Sequence, residues 1–254
     1  MIDGVERSLD DIDPAEIESF SILKDASASA MYGVRGANGV ILVNTKRGKV
    51  GAPTVTFRVE QSFRKPTKLP EFIGAAEHMT LINNLAGRTI FPQQRIDRTA
   101  SGYDPDLYPD IDWVDALTKD LSENTRANLS IAGGSDFLRY SLTGSYFRET
   151  GNLNRDENLP YDTSTGLQKY NVRANVDMDL TKTTLVRFNV GGYLQNLRKN
   201  SSSTTDVFNY AFETVPFVHP PIYSDGRIPV DSGRVNPWAM LTQTGYSRQT
   251  KSQI

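Results

Sequence analysis

The sequence predicts a mainly β protein. It reads as a partial transmembrane antiparallel β-barrel, an open curled sheet of about five or six strands, with a small α+β segment in front of it. Three observations carry this. From residue 54 on, apolar residues alternate with charged and amide residues over stretches as long as a membrane-spanning strand. The connections between those stretches are short and long by turns. The first fifty residues have another texture, with a small-residue run and a glycine-rich turn between two short apolar runs.

The N-terminal segment comes first. Asp13-Pro14-Ala15-Glu16 is a helix-start pattern, with proline at the first helical position. Ile22 and Leu23 close a short strand. Asp25 is placed to cap a helix over residues 26–32, a run of alanine and serine that stops at Gly33. Gly36 and Gly39 punctuate the next turn, and residues 40–43 are an apolar run of buried-strand type. Residues 48–53 hold two glycines and a proline and read as a linker. The division is residues 1–50 and residues 51–254.

The strands follow. Residues 54–63 set Val55, Phe57 and Val59 against Thr56, Arg58 and Glu60. Residues 124–132 set Ala127, Leu129 and Ile131 against Arg126, Asn128 and Ser130. Residues 133–136, Gly-Gly-Ser-Asp, form a tight turn into residues 137–148. Residues 169–179 are the cleanest case: Tyr170, Val172, Ala174, Val176 and Met178 face one way, Asn171, Arg173, Asn175 and Asp177 the other. Residues 180–183 connect to residues 184–195, and the two stretches predict a hairpin. A soluble sandwich also alternates. The ionic length of the polar faces and the sorting of connections decide for a barrel. The turns at 133–136 and 180–183 are short, whereas 64–123, 149–167 and 196–245 are long, the pattern of periplasmic turns and extracellular loops. Within the long loops, residues 74–85 show helical spacing.

Composition narrows the function classes. The 254 residues carry 28 Lys+Arg against 30 Asp+Glu, which gives no electrostatic case for nucleic acid. No cysteine is present, so there is no disulfide framework or thiolate metal site. His78 and His219 are far apart, and no HExxH or GxSxG motif occurs. A mean hydropathy of −0.44 with no long apolar run excludes a spanning helix but not a barrel, in which only alternate residues are apolar. No catalytic, cofactor or metal residue is assigned. Asp104, Asp106, Asp110 and Asp112 are the one cluster to weigh for calcium; the EF-hand pattern fails, and they read as an acidic loop. Tyr103, Tyr108, Trp113, Tyr223 and Trp238 fit sugar stacking and loop packing equally well. The turn around Gly36 fits neither phosphate-binding glycine motif.

Leu23-Lys24-Asp25-Ala26-Ser27, then Tyr32-Gly33, then Arg35-Gly36-Ala37-Asn38-Gly39-Val40 and the basic stop Thr45-Lys46-Arg47-Gly48-Lys49 follow one another without a gap. This order resembles the end of the plug domain of the SusC/RagA family of TonB-dependent outer-membrane transporters. Weaker likeness extends through the loop helix, the Asp112-Trp113 segment and the proline-rich stretch 215–221. The resemblance implies a bacterial outer-membrane importer of oligosaccharides or peptides. Its implied partners are a SusD-like lipoprotein over the mouth and a TonB–ExbB–ExbD complex, reached through a segment that this sequence does not carry. Met1 then reads as an internal or artificial start. Lys24, Asp25, Tyr32, Gly33, Arg35, Gly36, Asn38 and Gly39 become plug-signature residues, structural or in contact with the barrel. Arg35 is singled out because plug arginines in related transporters pair with glutamates of the wall. Two other classes compete. A soluble β-rich surface glycan-binding module predicts apolar faces packed on each other, and a hydrolase predicts a converging acid–base set.

Overall fold

The computed structural model describes residues 1–24, 33, 39–230 and 233–254. The N-terminal segment opens with two 3-10 turns, Leu9–Asp11 and Pro14–Glu16. The predicted helix start at Asp13 is the second of these. Asp13 Oδ1 accepts from the Ala15 amide, Glu16 reaches back to the Asp13 amide, and Pro14 sits at the first helical position. No α-helix follows, because the chain turns at once into β1 (Ile17–Leu23). β1 pairs antiparallel with β2 (Val40–Thr45), from Leu23↔Val40 to Ile17↔Thr45. Gly39 enters β2 at φ +89, and a Cβ there would press within 3.1 Å of the Leu23 carbonyl oxygen, so this corner is built for glycine. Ile2, Ile12 and Val43 form a small core beneath the ribbon.

Six strands make a separate antiparallel meander: β3 (Gly51–Arg64), β4 (Ser122–Gly134), β5 (Leu138–Thr150), β6 (Gly166–Thr181), β7 (Thr184–Asn200) and β8 (Tyr246–Gln253). Among the described residues each pairs only with its sequence neighbours, so the sheet is open, with β3 and β8 at its edges. The hairpin predicted across residues 180–183 is present, closing at Thr181↔Thr184 with Val176↔Phe188 and Asp177↔Arg187 above it. The first tight turn differs from expectation by two residues. Gly133 and Gly134 still pair with Tyr140 and Arg139, and the reversal is at 135–137.

Burial on the sheet is inverted relative to a water-soluble protein. Asn171, Arg173, Asn175 and Asp177 on β6 are all buried, while Val172 between them is 58% exposed. Ser141, Thr143 and Ser145 on β5 are buried, and Leu142 is exposed. Val55, Phe57, Val186, Phe188 and Val190 join Leu142 and Val172 in a broad outward apolar face. The packed apolar faces expected of a soluble sandwich are not what this sheet presents.

The long loops have their own folded cores. The predicted loop helix is α1 (Ala75–Ala86), and α2 (Gln93–Ala100) packs on it through Met79 and Ile96. A second core joins α3 (Trp113–Leu117), α4 (Thr204–Glu213) and α5 (Pro237–Thr242), with Leu153 from the β5–β6 connection.

Candidate functional site

The described plug-signature residues are peripheral. Lys24 is exposed at the end of β1, and Gly33 and Gly39 both take positive φ, 62 and 89. Asp25, Tyr32, Arg35, Gly36 and Asn38 lie outside the described residues, as does the helix expected over 26–32.

What the structure brings together instead is a polar seam between the N-terminal segment and the inner face of the sheet. Its centre is Arg173 on β6. The Arg173 Nε donates to Glu16 Oε2 at 2.6 Å, and its Nη1 lies 3.6 Å from Asp3 Oδ2. All three side chains are more than nine-tenths buried. Asp3 in turn accepts from the Thr45 amide at 3.0 Å and the Thr45 hydroxyl at 2.6 Å. Asn175, one step along β6, donates to Thr45 Oγ1 and to the Lys46 carbonyl at 2.7 and 2.8 Å.

Further contacts extend the seam. Upstream, Asp13 faces the wall, where Asn128 donates to it at 3.2 Å and Arg126 stands 3.7 Å away. Downstream, Arg47 donates to Asp177 at 2.6 Å and to Asn189 at 3.2 Å. Asn171 and Lys169 donate to the Asp11 and Asp10 carbonyls. The partners come from alternate residues of neighbouring strands, which is why they share one face.

Two glycines shape this contact. Gly191 is the β7 partner of Arg173, and a Cβ there would sit 2.9 Å from the guanidinium carbon. Its absence gives the arginine room to lie flat along the wall. Gly48 lies within the basic stop of the signature, and a Cβ on it would fall 2.3 Å from the Tyr140 amide nitrogen. Only glycine lets the chain cross so close over the β4–β5 hairpin.

The electrostatics follow from burial. Burial pushes the Glu16 carboxyl above its ordinary range, against the opposing pull of Arg173. The expected polarity, plug arginine on wall glutamate, is reversed at the centre of the seam: the wall supplies the arginine, and the N-terminal segment supplies the carboxylates. Arg47–Asp177 has the expected polarity, in a residue not singled out from the sequence. The alternation did place Arg173, Asn175 and Asp177 on the inner face, and Asp13 and Glu16 stood out as a turn motif. Nothing local links the two groups, since the Glu16–Arg173 contact spans 157 residues.

The remaining candidates make contacts within the loops. Asp110 accepts from the Ala75 amide at the start of α1, Asp112 caps α3, Asp106 accepts from Ser224, and Asp104 holds the Leu107 amide. These four carboxylates each serve a different backbone turn. His78 packs edge-on against Phe217, and His219 is buried edge-on against Trp113. Trp113 and Trp238 belong to the α3–α5 core, while Tyr103 and Tyr108 flank Arg98.

The TonB-dependent Receptor Plug Domain family matches residues 1–40. TonB-dependent receptor P3 of Formosa agariphila is 29% identical over 248 residues, which are 93% of this chain and 22% of the relative. TonB-dependent receptor SusC of Bacteroides thetaiotaomicron is 33% identical over 151 residues, 59% of this chain and 14% of SusC. Among solved structures, the RagAB peptide importer in its closed-closed state superposes with a TM-score of 0.67 at 25% identity, over 90% of this chain and 28% of the importer chain. The chain thus spans between 14% and 22% of the length of these curated relatives.

Proposed function

We propose, from the premise that this chain belongs to the SusC/RagA-type TonB-dependent transporters of the bacterial outer membrane, that it forms the end of the plug and the first wall strands of a nutrient importer. The substrate is an oligosaccharide or a peptide, delivered with a SusD-like lipoprotein and driven by a TonB–ExbB–ExbD complex. The protein works by moving solute, with no bond-making step and no cofactor in its cycle.

One observation carries the reading. The sheet turns its apolar face outward and seats the N-terminal segment on its polar face through Arg173, Asn175 and Asp177. An outward apolar band suits lipid. A polar seam suits a part that must move within a watery lumen, because water can take over each hydrogen bond when the seam opens. An apolar seam would resist parting in water by its whole buried area.

The test uses cells that carry the intact transporter and its lipoprotein, fed a mixture of oligosaccharides and peptides. Depletion of at least one of the two classes from the medium is expected only when TonB is functional. Equal depletion in cells without TonB would overturn the proposal.

A further inference from the structure

We propose that the outer surface of the wall carries a binding site for a phosphorylated lipid headgroup of the outer leaflet, built on Arg148 and Arg248. The inference rests on the outer-membrane placement of the sheet and not on what is transported.

The apolar band has a measurable height. On β6 the outward residues run from Met178 to Tyr170, eight steps of ~3.3 Å each, or about 26 Å along the strand. At a tilt of ~40° this spans about 20 Å of membrane, close to the usual apolar band. Its upper rim is Tyr146 on β5 and Tyr170 on β6, directly paired with ring centres 5.1 Å apart, and Leu194 on β7. Outward tyrosines at a rim mark the level where acyl chains meet headgroups. All three long connections leave from this end of the sheet, which makes it the extracellular one.

Over the two steps above the rim the outward residues turn polar and basic, with Arg148 in the first row and Arg248 in the second. Arg148 pairs with Gln168, which pairs with Asn196, while Arg248 on β8 pairs with Arg198. Arg148, Gln168, Asn196, Arg198 and Arg248 line one cleft of about 180 Å³. The carboxylates at its border are already taken. Glu149 pairs with Arg64 on the inner face. Asp162 is held by Arg198 at 2.6 Å and by Arg155 at 3.4 Å. Partial burial opposes ionisation of Asp162, but hydrogen bonds from Ser164 and the two arginines outweigh it and keep its carboxyl below the ordinary range.

Arg148 and Arg248 are left over. Both are exposed, and neither guanidinium has an ion pair or hydrogen bond with any described residue. Two unneutralised arginines beside amide donors match a phosphate, which guanidinium groups bind by forked, charge-assisted hydrogen bonds. A free phosphate would gain nothing from the tyrosine and leucine surface below. A lipid phosphate fills both parts at once, its headgroup in the cleft and its acyl chains along Tyr146, Tyr170 and Leu194.

The intact transporter, reconstituted in phosphatidylcholine nanodiscs, tests this with spin-labelled phosphatidic acid as the probe. Arg148→Gln and Arg248→Gln are each expected to weaken probe association about fivefold. Lys182→Gln, in the turn at the opposite end of the sheet, is expected to leave it unchanged. Undiminished association in the double arginine variant overturns the proposal. Displacement of the probe by inorganic phosphate at the same concentration as by unlabelled phosphatidic acid overturns the lipid assignment.

Discussion

The helical loops and the sheet obey opposite rules of burial. In the loops, Trp113, Leu117, Leu153, Val207, Ala211 and Leu241 are buried together, as in any protein folded in water. In the sheet, the buried residues of β6 are Asn171, Arg173, Asn175 and Asp177, and Tyr170, Val172 and Leu180 are among the exposed ones. The two regions belong to one chain with one mean hydropathy. What differs is the medium each was written for: water around the loops, lipid outside the sheet and a polar plug inside it. A single hydropathy average therefore says nothing about this chain, whereas the phase of its pattern says a great deal.

The largest way to break the contrast is at the seam. Arg173→Met removes the cation between Glu16 and Asp3 and leaves two buried carboxylates without it. Breaking a buried ion pair from one side costs about 3–5 kcal/mol. Denaturant titration of the intact transporter in vesicles should show a loss of that order, and adding Glu16→Gln to Arg173→Met should recover part of it. A loss below about 1 kcal/mol would mean that water already screens the seam.

In the loops the corresponding deletion is apolar. Leu117 is fully buried, and Leu117→Ala should cost about 2–5 kcal/mol by transfer and cavity terms. The loss should appear as faster proteolysis of the α3–α5 region, with the seam unaffected. Equal loosening of the seam would show that the loops and the sheet are one cooperative unit.

The third change separates exposure to water from exposure to lipid. Leu85 on α1 is 79% exposed and Leu142 on β5 is 44% exposed. By exposure alone, arginine should be worse tolerated at 142 only slightly. By medium, Leu142→Arg costs about 2–4 kcal/mol in a bilayer, and Leu85→Arg stays within about 0.5 kcal/mol. Similar small costs at both sites, measured in vesicles, would remove the lipid face.

Much of this was legible in the sequence, and what was not has a physical reason. Strands show themselves because period-2 alternation is forced wherever two media meet at a sheet, and residues 169–179 display it without interruption. The loop helix at 75–86 showed its apolar spacing. α2, Gln-Gln-Arg-Ile-Asp-Arg-Thr-Ala, did not, because it buries only Ile96 and Thr99. α5 had its signal, Asn236 as cap before Pro237, but at six residues it is too short for periodicity to register. The seam was half legible. Alternation aimed Arg173 and Asp177 inward, and a water-filled lumen was a sufficient reason for polar residues there. That Asp3, Asp13 and Glu16 would meet them depends on contacts more than a hundred residues apart, which no local pattern encodes.

The smallest effect sets a seam carboxylate against a loop carboxylate through pH. Burial raises the Glu16 carboxyl above 4.5, so the folded state holds its proton to higher pH than the unfolded chain does. The stability Glu16 contributes is then fully present below 4.5 and is lost as pH rises through its folded value. Asp162 in the β5–β6 loop has the opposite sign: its carboxyl lies below 3.8, so its contribution is present above that value and is lost as pH falls through the folded one. One proton changes stability by at most about 1.4 kcal/mol per pH unit. Between pH 4.5 and neutrality, Glu16→Gln should flatten a declining stability curve, whereas Asp162→Asn should leave that window untouched and alter only the acid limb. Denaturant midpoints of the three proteins, followed across pH, decide it. A wild-type curve that rises from pH 4.5 upward and is flattened by Glu16→Gln would show that the Arg173 charge, rather than burial, governs Glu16, and that the seam is held as a full ion pair at neutral pH.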